Sequence, residues 1–575
     1  MAACAPRRGC TKRMMMNRRH FLQQSIAFLA IPSHYARASE LDCEIAVIGG
    51  GVGGYAAALA ALRNGRRVIL TEETRWIGGQ LTSQAVPPDE HPWVEQFGCT
   101  RSYRAYRESV REYYRRNYPL TAQARARTEL NPGNSTVSRL THEFRVSVAV
   151  LEAALAPYVS SGQLLVLLEH VPQSAETDHD RVRSVAVRDT RSGITHTISA
   201  KYFLDATELG DLIALTKTEC VTGAESQAQT GELHAAAQPQ PSNSQSFTHC
   251  FAIDYLEGED DTIERPRDYD FWRGYVPKLS PPWPGPLLSW TYCEPTSLRP
   301  VKTDFIPNPQ ADAAGDRNLW VYRRIADRAN FTPGAYQSDI TLVNWPENDY
   351  WGGDLVTASA EGRKELLRKA KQLSLSWLYW MQTESPLPRG GYGWKGLDLR
   401  KDVVGTEDGL AAAPYIREAR RIRAEFTVLE QHVGTEMRMT RTGKSLAEVT
   451  AEKFQDSVGV GAYRIDLHPS AGGTNYIDIS SLPYQIPLGA LVPQRMENLL
   501  AAAKNIGTTH ITNGCYRLHP TEWNIGEAAG ALAAHALKLG EPARAIRNNR
   551  KLFEDLQRSL VSQGFELDWP RVRPL

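Results

Sequence analysis

The feature that most constrains this chain is a run of glycines at residues 49–54, set between a strand pattern and a helix pattern. Glu44 to Ile48 reads Glu-Ile-Ala-Val-Ile, the short apolar run of a buried strand. Gly49, Gly51 and Gly54 then satisfy G-x-G-x-x-G, with Gly50 and Gly53 beside them. Tyr55 to Asn64 is rich in alanine and leucine and predicts a helix, closed by Gly65. Arg67 to Thr71 predicts a second strand, and Glu72 stands at its end, 23 residues after Gly49. Strand, glycine turn, helix, strand and terminal acid in this register form a dinucleotide-binding unit. Gly49 permits the tight turn. Gly51 admits a pyrophosphate against bare backbone, and Gly54 lets the helix pack on the sheet. The helix N-terminus offers unpaired N–H groups and the positive end of its dipole to the phosphates. Glu72 can accept from ribose hydroxyls, and an acid at that place disfavours a 2′-phosphate.

The 66 basic and 65 acidic side chains of the 575 residues leave a net charge of +1. Nucleic-acid binders carry a basic surplus, so no nucleic-acid partner is expected. No run approaches 18 apolar residues, so no stable membrane insertion is expected. The eight cysteines contain no C-x-x-C pair, and no metal site is expected. Residues 1–38 read as a leader: a basic front, a weakly apolar run from Phe21 to Ile31, and Ala36-Arg37-Ala38 as a cleavage site. Asn17-Arg18-Arg19-His20-Phe21-Leu22-Gln23 resembles a twin-arginine export signal, with Asn17 and Gln23 departing from the usual residues. That resemblance implies a periplasmic or secreted protein exported already folded around a cofactor.

Other stretches narrow the cofactor. Trp76-Ile77-Gly78-Gly79-Gln80 offers a second close backbone approach. Leu164 to Leu168 leads to His170-Val171, and the alternation at 182–187 and 194–198 predicts a small antiparallel layer. Tyr202 to Glu208 reads as a strand ending in Asp205-Ala206-Thr207-Glu208, with Gly210 and Asp211 after it. Near the C-terminal end, Leu499 to Ala503 is apolar. His519-Pro520-Thr521-Glu522-Trp523-Asn524-Ile525-Gly526 then opens a small-residue helix, with Pro520 suited to its first turn and Glu522 to its dipole.

This series resembles the FAD-dependent oxidoreductases of the glutathione-reductase-like, two-dinucleotide-domain superfamily. Within it the chain is most similar to a largely bacterial FAD-dependent oxidoreductase family. The similar stretches are 44–81, Leu342-Val343-Asn344-Trp345-Pro346, 414–422, Asp456-Ser457-Val458-Gly459, Asp466-Leu467-His468-Pro469 and 499–535. The resemblance implies an α/β fold: a Rossmann-like FAD-binding domain with an inserted α+β substrate or cap domain. It divides the chain into a leader at 1–38, FAD-binding parts at 41–225 and 490–545, an insertion at 226–489 and a tail at 546–575. It implies FAD held by Gly49, Gly51, Gly53, Gly54, Glu72, Gly79, Gln80, Val171, Ala206, Asp211, Glu522, Asn524 and Ile525. Glu208 departs from the pattern, since glycine is usual there. The returning helix is expected to aim its N-terminus at the flavin N1–C2 edge, where charge develops on reduction.

No second G-x-G-x-x-G unit is present, so an external electron acceptor is expected rather than a built-in nicotinamide domain. Nine of the 13 tryptophans fall between Trp272 and Trp394, inside the insertion, where most should be core and one or two should line a substrate pocket. Flavin supplies the redox chemistry, and the protein must supply a base and charge control. His519, just ahead of the returning helix, is the first candidate base, His510 the second and His468 the third. Arg417 can clamp an anionic group through its fork. The expected function is a dehydrogenase or oxidase that moves a hydride from a small polar organic molecule to flavin. The alternatives are a flavin monooxygenase and a non-catalytic, FAD-containing carbohydrate-binding or scaffold protein. Oligomeric state is left open.

Overall fold

A computed structural model describes residues 38–309 and 317–575. The proposed leader, apart from Ala38, lies outside the described residues. The glycine unit folds as its residues dictate. Strand β1 (Glu40–Ile48) runs into helix α1 (Val52–Arg63), which returns to β2 (Val68–Glu72). Helices α2 (Arg101–Asn117) and α3 (Phe144–Ser160) follow, then β3 (Leu164–Leu168). β4 (His170–Asp178), β5 (Arg181–Asp189) and β6 (Thr195–Asp205) form an antiparallel meander.

β6 belongs to both layers. Its first half pairs antiparallel with β5, as in Ser184↔Ser199, while from Thr197 onward it runs parallel to β1, from Glu40↔Thr197 to Ile48↔Asp205. Its last three residues also pair with a strand near the other end of the chain, Leu499↔Phe203 to Ala501↔Asp205. The result is a parallel order β3-β2-β1-β6, completed at the edge by Leu499–Ala501, with the meander attached. Parallel strands buried on both faces need continuous apolar runs. Leu164 to Leu168 and Ala46-Val47-Ile48 supply them.

In the 226–489 segment, four short strands form a separate antiparallel sheet: β7 (Phe251–Tyr255), β8 (Arg324–Ala326), β9 (Ile340–Val343) and β10 (Leu397–Leu399), in the order β8-β9-β7-β10. The longest helix of this segment is α4, Ala360–Thr383, started by the Ser359 side chain accepting from Gly362 N–H at 3.1 Å. A second buried cluster sits here, and all nine tryptophans belong to it or pack on it. Trp377 and Trp380, three apart on α4, stack 5.0 Å between ring centres.

The last elements close the cofactor side: β11 (Ser457–Gly461), β12 (Tyr484–Pro487), β13 (Leu499–Ala501), α5 (His510–Tyr516), α6 (His519–Leu539) and α7 (Arg550–Gln563). α6 lies on α1 with almost no side chain between them. A Cβ on Gly526 would fall 1.9 Å from Gly53 O, and one on Gly530 would fall 2.1 Å from Ala57 O. Glycines one helical turn apart thus let two backbones touch. Among the described residues no helix is long and apolar enough to cross a membrane.

Candidate active site

The glycine turn is braced from three sides. Gly49 takes φ +100°, and a Cβ there would meet Ala206 O at 2.3 Å, so the strand end of β6 abuts the turn. The Gly78-Gly79-Gln80 segment docks on it through Gly78 N–H donating to Gly50 O at 2.7 Å. The start of α6 reaches it through Glu522, whose Oε1 accepts from Gly53 N–H at 3.4 Å and whose Oε2 accepts from Gln80 Nε2 at 2.6 Å. A Cβ on Gly79 would lie 2.8 Å from Gly51 Cα. The predicted residues Gly49, Gly51, Gly53, Gly54, Glu72, Gly79, Gln80, Ala206 and Glu522 therefore converge on one small volume.

Glu72 ends β2 as expected. Its Oε2 accepts from Gly50 N–H at 3.0 Å, and its Oε1 accepts from Thr74 N–H at 2.9 Å and Thr74 Oγ1 at 2.7 Å. Burial raises its pKa to about 7. Oε2 keeps a lone pair for a ribose hydroxyl. Asp205 shapes the adjoining turn by accepting from Thr207 N–H at 2.9 Å and from Ile213 N–H at 2.8 Å. Asp211 is half-buried and pairs with Arg363 and Arg420, each at 3.3 Å. Asn524 donates to Val460 O at 3.1 Å, which ties α6 to β11, and Ile525 is buried beside it. Val171 stands apart, half-buried on β4 opposite Arg188.

These residues fit the FAD that the sequence resemblance implies. A Cβ on Gly54 would come within 1.9 Å of Gly49 O, so the turn packs on bare backbone there, while the nearest atom to a Cβ on Gly51 would be the side-chain Oε1 of Glu208 at 2.7 Å. Gln80 Oε1, beside Glu522, is a buried acceptor without a protein partner.

Against the start of α6 lies a cavity of about 630 Å³, within the range of small-molecule sites. Arg517, two residues ahead of α6, shares its wall with Arg323, Arg417, His468 and Trp345. Each arginine has an acidic partner: Arg323 with Asp89 at 3.2 Å, Arg417 with Asp349 at 3.0 Å, and Arg517 with Asp466 at 3.2 Å. Tyr415 lies between two of them. Arg517 Nη1 donates to its hydroxyl at 2.6 Å, and the Arg417 guanidinium sits 4.7 Å from its ring centre.

Asp349 joins the two kinds of chemistry here. It is 1% exposed, and besides Arg417 it accepts from Thr248 Oγ1 and contacts His468 Nδ1 at 2.6 Å. Burial works against its charge, but Arg417 and His468 outweigh burial and lower its pKa to about 2. The Asp349 carboxylate on Nδ1 fixes the orientation of the imidazole. His468 Nε2 is 3.5 Å from Asp466 Oδ2. Glu347, also on the cavity wall, is buried with neither oxygen partnered, and burial raises its pKa to about 8.

The other candidate bases are placed differently. His519 is fully buried, its Nδ1 accepts from Asp89 N–H at 3.0 Å, and burial lowers its pKa to about 4. It holds the Asp89 backbone, and Asp89 in turn meets Arg323 in the cavity. His510 pairs through Nδ1 with Glu418 Oε1 at 2.9 Å, and Glu418 also accepts from Arg421 at 2.6 Å. Neither His519 nor His510 is among the residues lining the cavity. Asp349 and Arg323 carry no local motif. The stretches at 342–346, 414–422 and 466–469 contribute to its wall, and together with Arg417 they were its signal in the sequence.

A model of the family described as FAD dependent oxidoreductase matches residues 44–560. The chain belongs to that family. FAD is its cofactor, and it is an oxidoreductase enzyme. No curated protein matches. Among solved structures, quinol fumarate reductase FrdA from E. coli is 11% identical, with 91% of this chain and 74% of that one covered at a TM-score of 0.32. L-proline dehydrogenase from P. horikoshii is 16% identical over 32% of this chain and 24% of its own, at 0.17. The chondrochloren halogenase CndH is 15% identical over 38% and 45%, at 0.21. This chain spans less than half of the latter two.

Proposed function

We propose that this FAD-dependent oxidoreductase oxidises a small polar organic molecule held in the 630 Å³ cavity, as a dehydrogenase or oxidase, and passes the electrons to an external acceptor. The observation that carries the reading is the buried Asp349 shared by Arg417 and His468 on the wall beside the start of α6. Bound FAD supplies a hydride acceptor. His468 takes the substrate's proton at Nε2, and ionised Asp349 stabilises the resulting imidazolium. Arg417 and Arg517 orient the substrate on either side of Tyr415. In this reading the 226–489 segment caps the cofactor and chooses the substrate, with Trp345 on the pocket wall.

The test is a screen of alcohols, amines and sugars with an artificial electron acceptor, read by flavin bleaching under anaerobic conditions. A substrate that bleaches wild type is expected to bleach His468→Ala at least a hundredfold more slowly, with the loss in kcat and flavin content unchanged. Equal rates in the two proteins would refute the role of His468. Purified protein without flavin would sink every redox reading. The export reading of residues 1–38 predicts a mature N-terminus after Ala38. Mass spectrometry of protein from the periplasm or medium checks it, and an uncleaved chain would count against it.

A further inference from the structure

Glu208, which stands where the superfamily's turn usually has glycine, does not turn out to solvent. One carboxylate oxygen lies 2.7 Å from where a Gly51 Cβ would be and 3.0 Å from where a Gly79 Cβ would be. The other accepts from Lys504 Nζ. Lys504 follows β13, and its side chain has no exposed surface. Burial works against its charge, while Glu208 and Glu522 outweigh burial and raise its pKa. A buried ammonium without a counter-ion is costly, so something anionic must stand beside it at all times.

The bare face of Gly51 exists to admit a phosphate oxygen. In this structure a carboxylate oxygen of the chain itself stands there, with a lysine behind it. We propose that Lys504 is the counter-ion of the FAD pyrophosphate, and that Glu208 is an internal stand-in for a phosphate oxygen which yields both Gly51 and Lys504 when the cofactor binds. The inference rests on FAD as the cofactor. Glu208 keeps the lysine neutralised in the empty protein and competes with the phosphates for it. The two residues therefore have opposite effects on cofactor affinity, although they form one ion pair.

Titration of the full-length, deflavinated protein with FAD, followed by flavin fluorescence, tests this. Glu208→Gln is expected to bind FAD at least tenfold more tightly than wild type, and Lys504→Gln at least tenfold more weakly. Riboflavin, which lacks phosphates, is expected to bind all three proteins within about twofold. Glu208→Asp draws the charge back from Gly51 and is expected to fall between wild type and Glu208→Gln. It also serves if the glutamine variant fails to fold. Unchanged or weaker FAD binding in both Glu208 variants overturns the proposal, as does an equal loss of FAD and riboflavin in Lys504→Gln. Wild type that binds no FAD would instead defeat the cofactor assignment, and the proposal with it.

Discussion

Asp349→Ala is expected to lower the unfolding free energy by about 3–5 kcal/mol, the cost of breaking a buried ion pair from one side. Asp349 is the only acid paired with Arg417 among the described ion pairs, and it also holds His468 and Thr248. Removing it leaves the guanidinium with Ser246 O and Thr248 Oγ1, both neutral acceptors at 3.0 Å. Against a typical total of roughly 5–15 kcal/mol this is a large fraction. The pH dependence has a definite sign. The folded pKa of Asp349 is depressed to about 2 from an ordinary 3.8, so its contribution is full above the unfolded value and is lost as pH falls through the folded one. The gap between wild type and variant should therefore be widest near neutral pH and should narrow by roughly 2 kcal/mol as pH falls from 4 through 2. Urea unfolding at a series of pH values measures it. A gap under about 1 kcal/mol at pH 7, or one independent of pH, would show that Asp349 does not carry this charge.

Gly526→Val is expected to do comparable damage by steric means and to empty the cofactor site. Its Cβ would meet Gly53 O at 1.9 Å and Gly53 Cα at 2.7 Å, so the obstacle is backbone on both helices. Overpacking where side chains can give way costs about 1–3 kcal/mol; here nothing can give way, and the cost should exceed that range. Relief requires α6 to lift from α1, which draws Glu522 away from Gly53 N–H and Gln80. The purified variant should hold less than a tenth of the wild-type flavin. Gly274→Ala, at a site with open space around its Cβ, is the control. Full flavin occupancy in Gly526→Val would falsify the account of this helix contact.

What could be read from the sequence follows the range of the interactions. The unit from Glu44 to Glu72 was legible because turn, helix and terminal acid impose local demands that glycine and spacing reveal. The start of α6 was legible for the same reason, since Pro520 and Glu522 suit a first turn. Position was therefore clear while direction was not. Nothing in the residues around His519 says that its ring turns inward to Asp89, 430 positions away. The Arg417–Asp349–His468 junction joins three separated segments of chain, and no local pattern encodes such a meeting. Glu208 could be recognised as an exception to the turn, but its partner lies 296 residues further on. The tryptophan excess was readable as a core, because large apolar rings seek burial wherever they fall.

The double membership of β6 bears on how the chain is made. Its N-terminal neighbours are synthesised early, but its last partner, Leu499–Ala501, leaves the ribosome about 300 residues later. Until then the edge of β6 presents open N–H and C=O groups, the kind of template that invites pairing with another chain. Such long-range parallel pairing also forms slowly. A nascent chain stopped between residues 72 and 499 holds the fingerprint but neither β13 nor α6. Assembly of the dinucleotide cradle thereby falls late in synthesis, after both β13 and the start of α6 have been made.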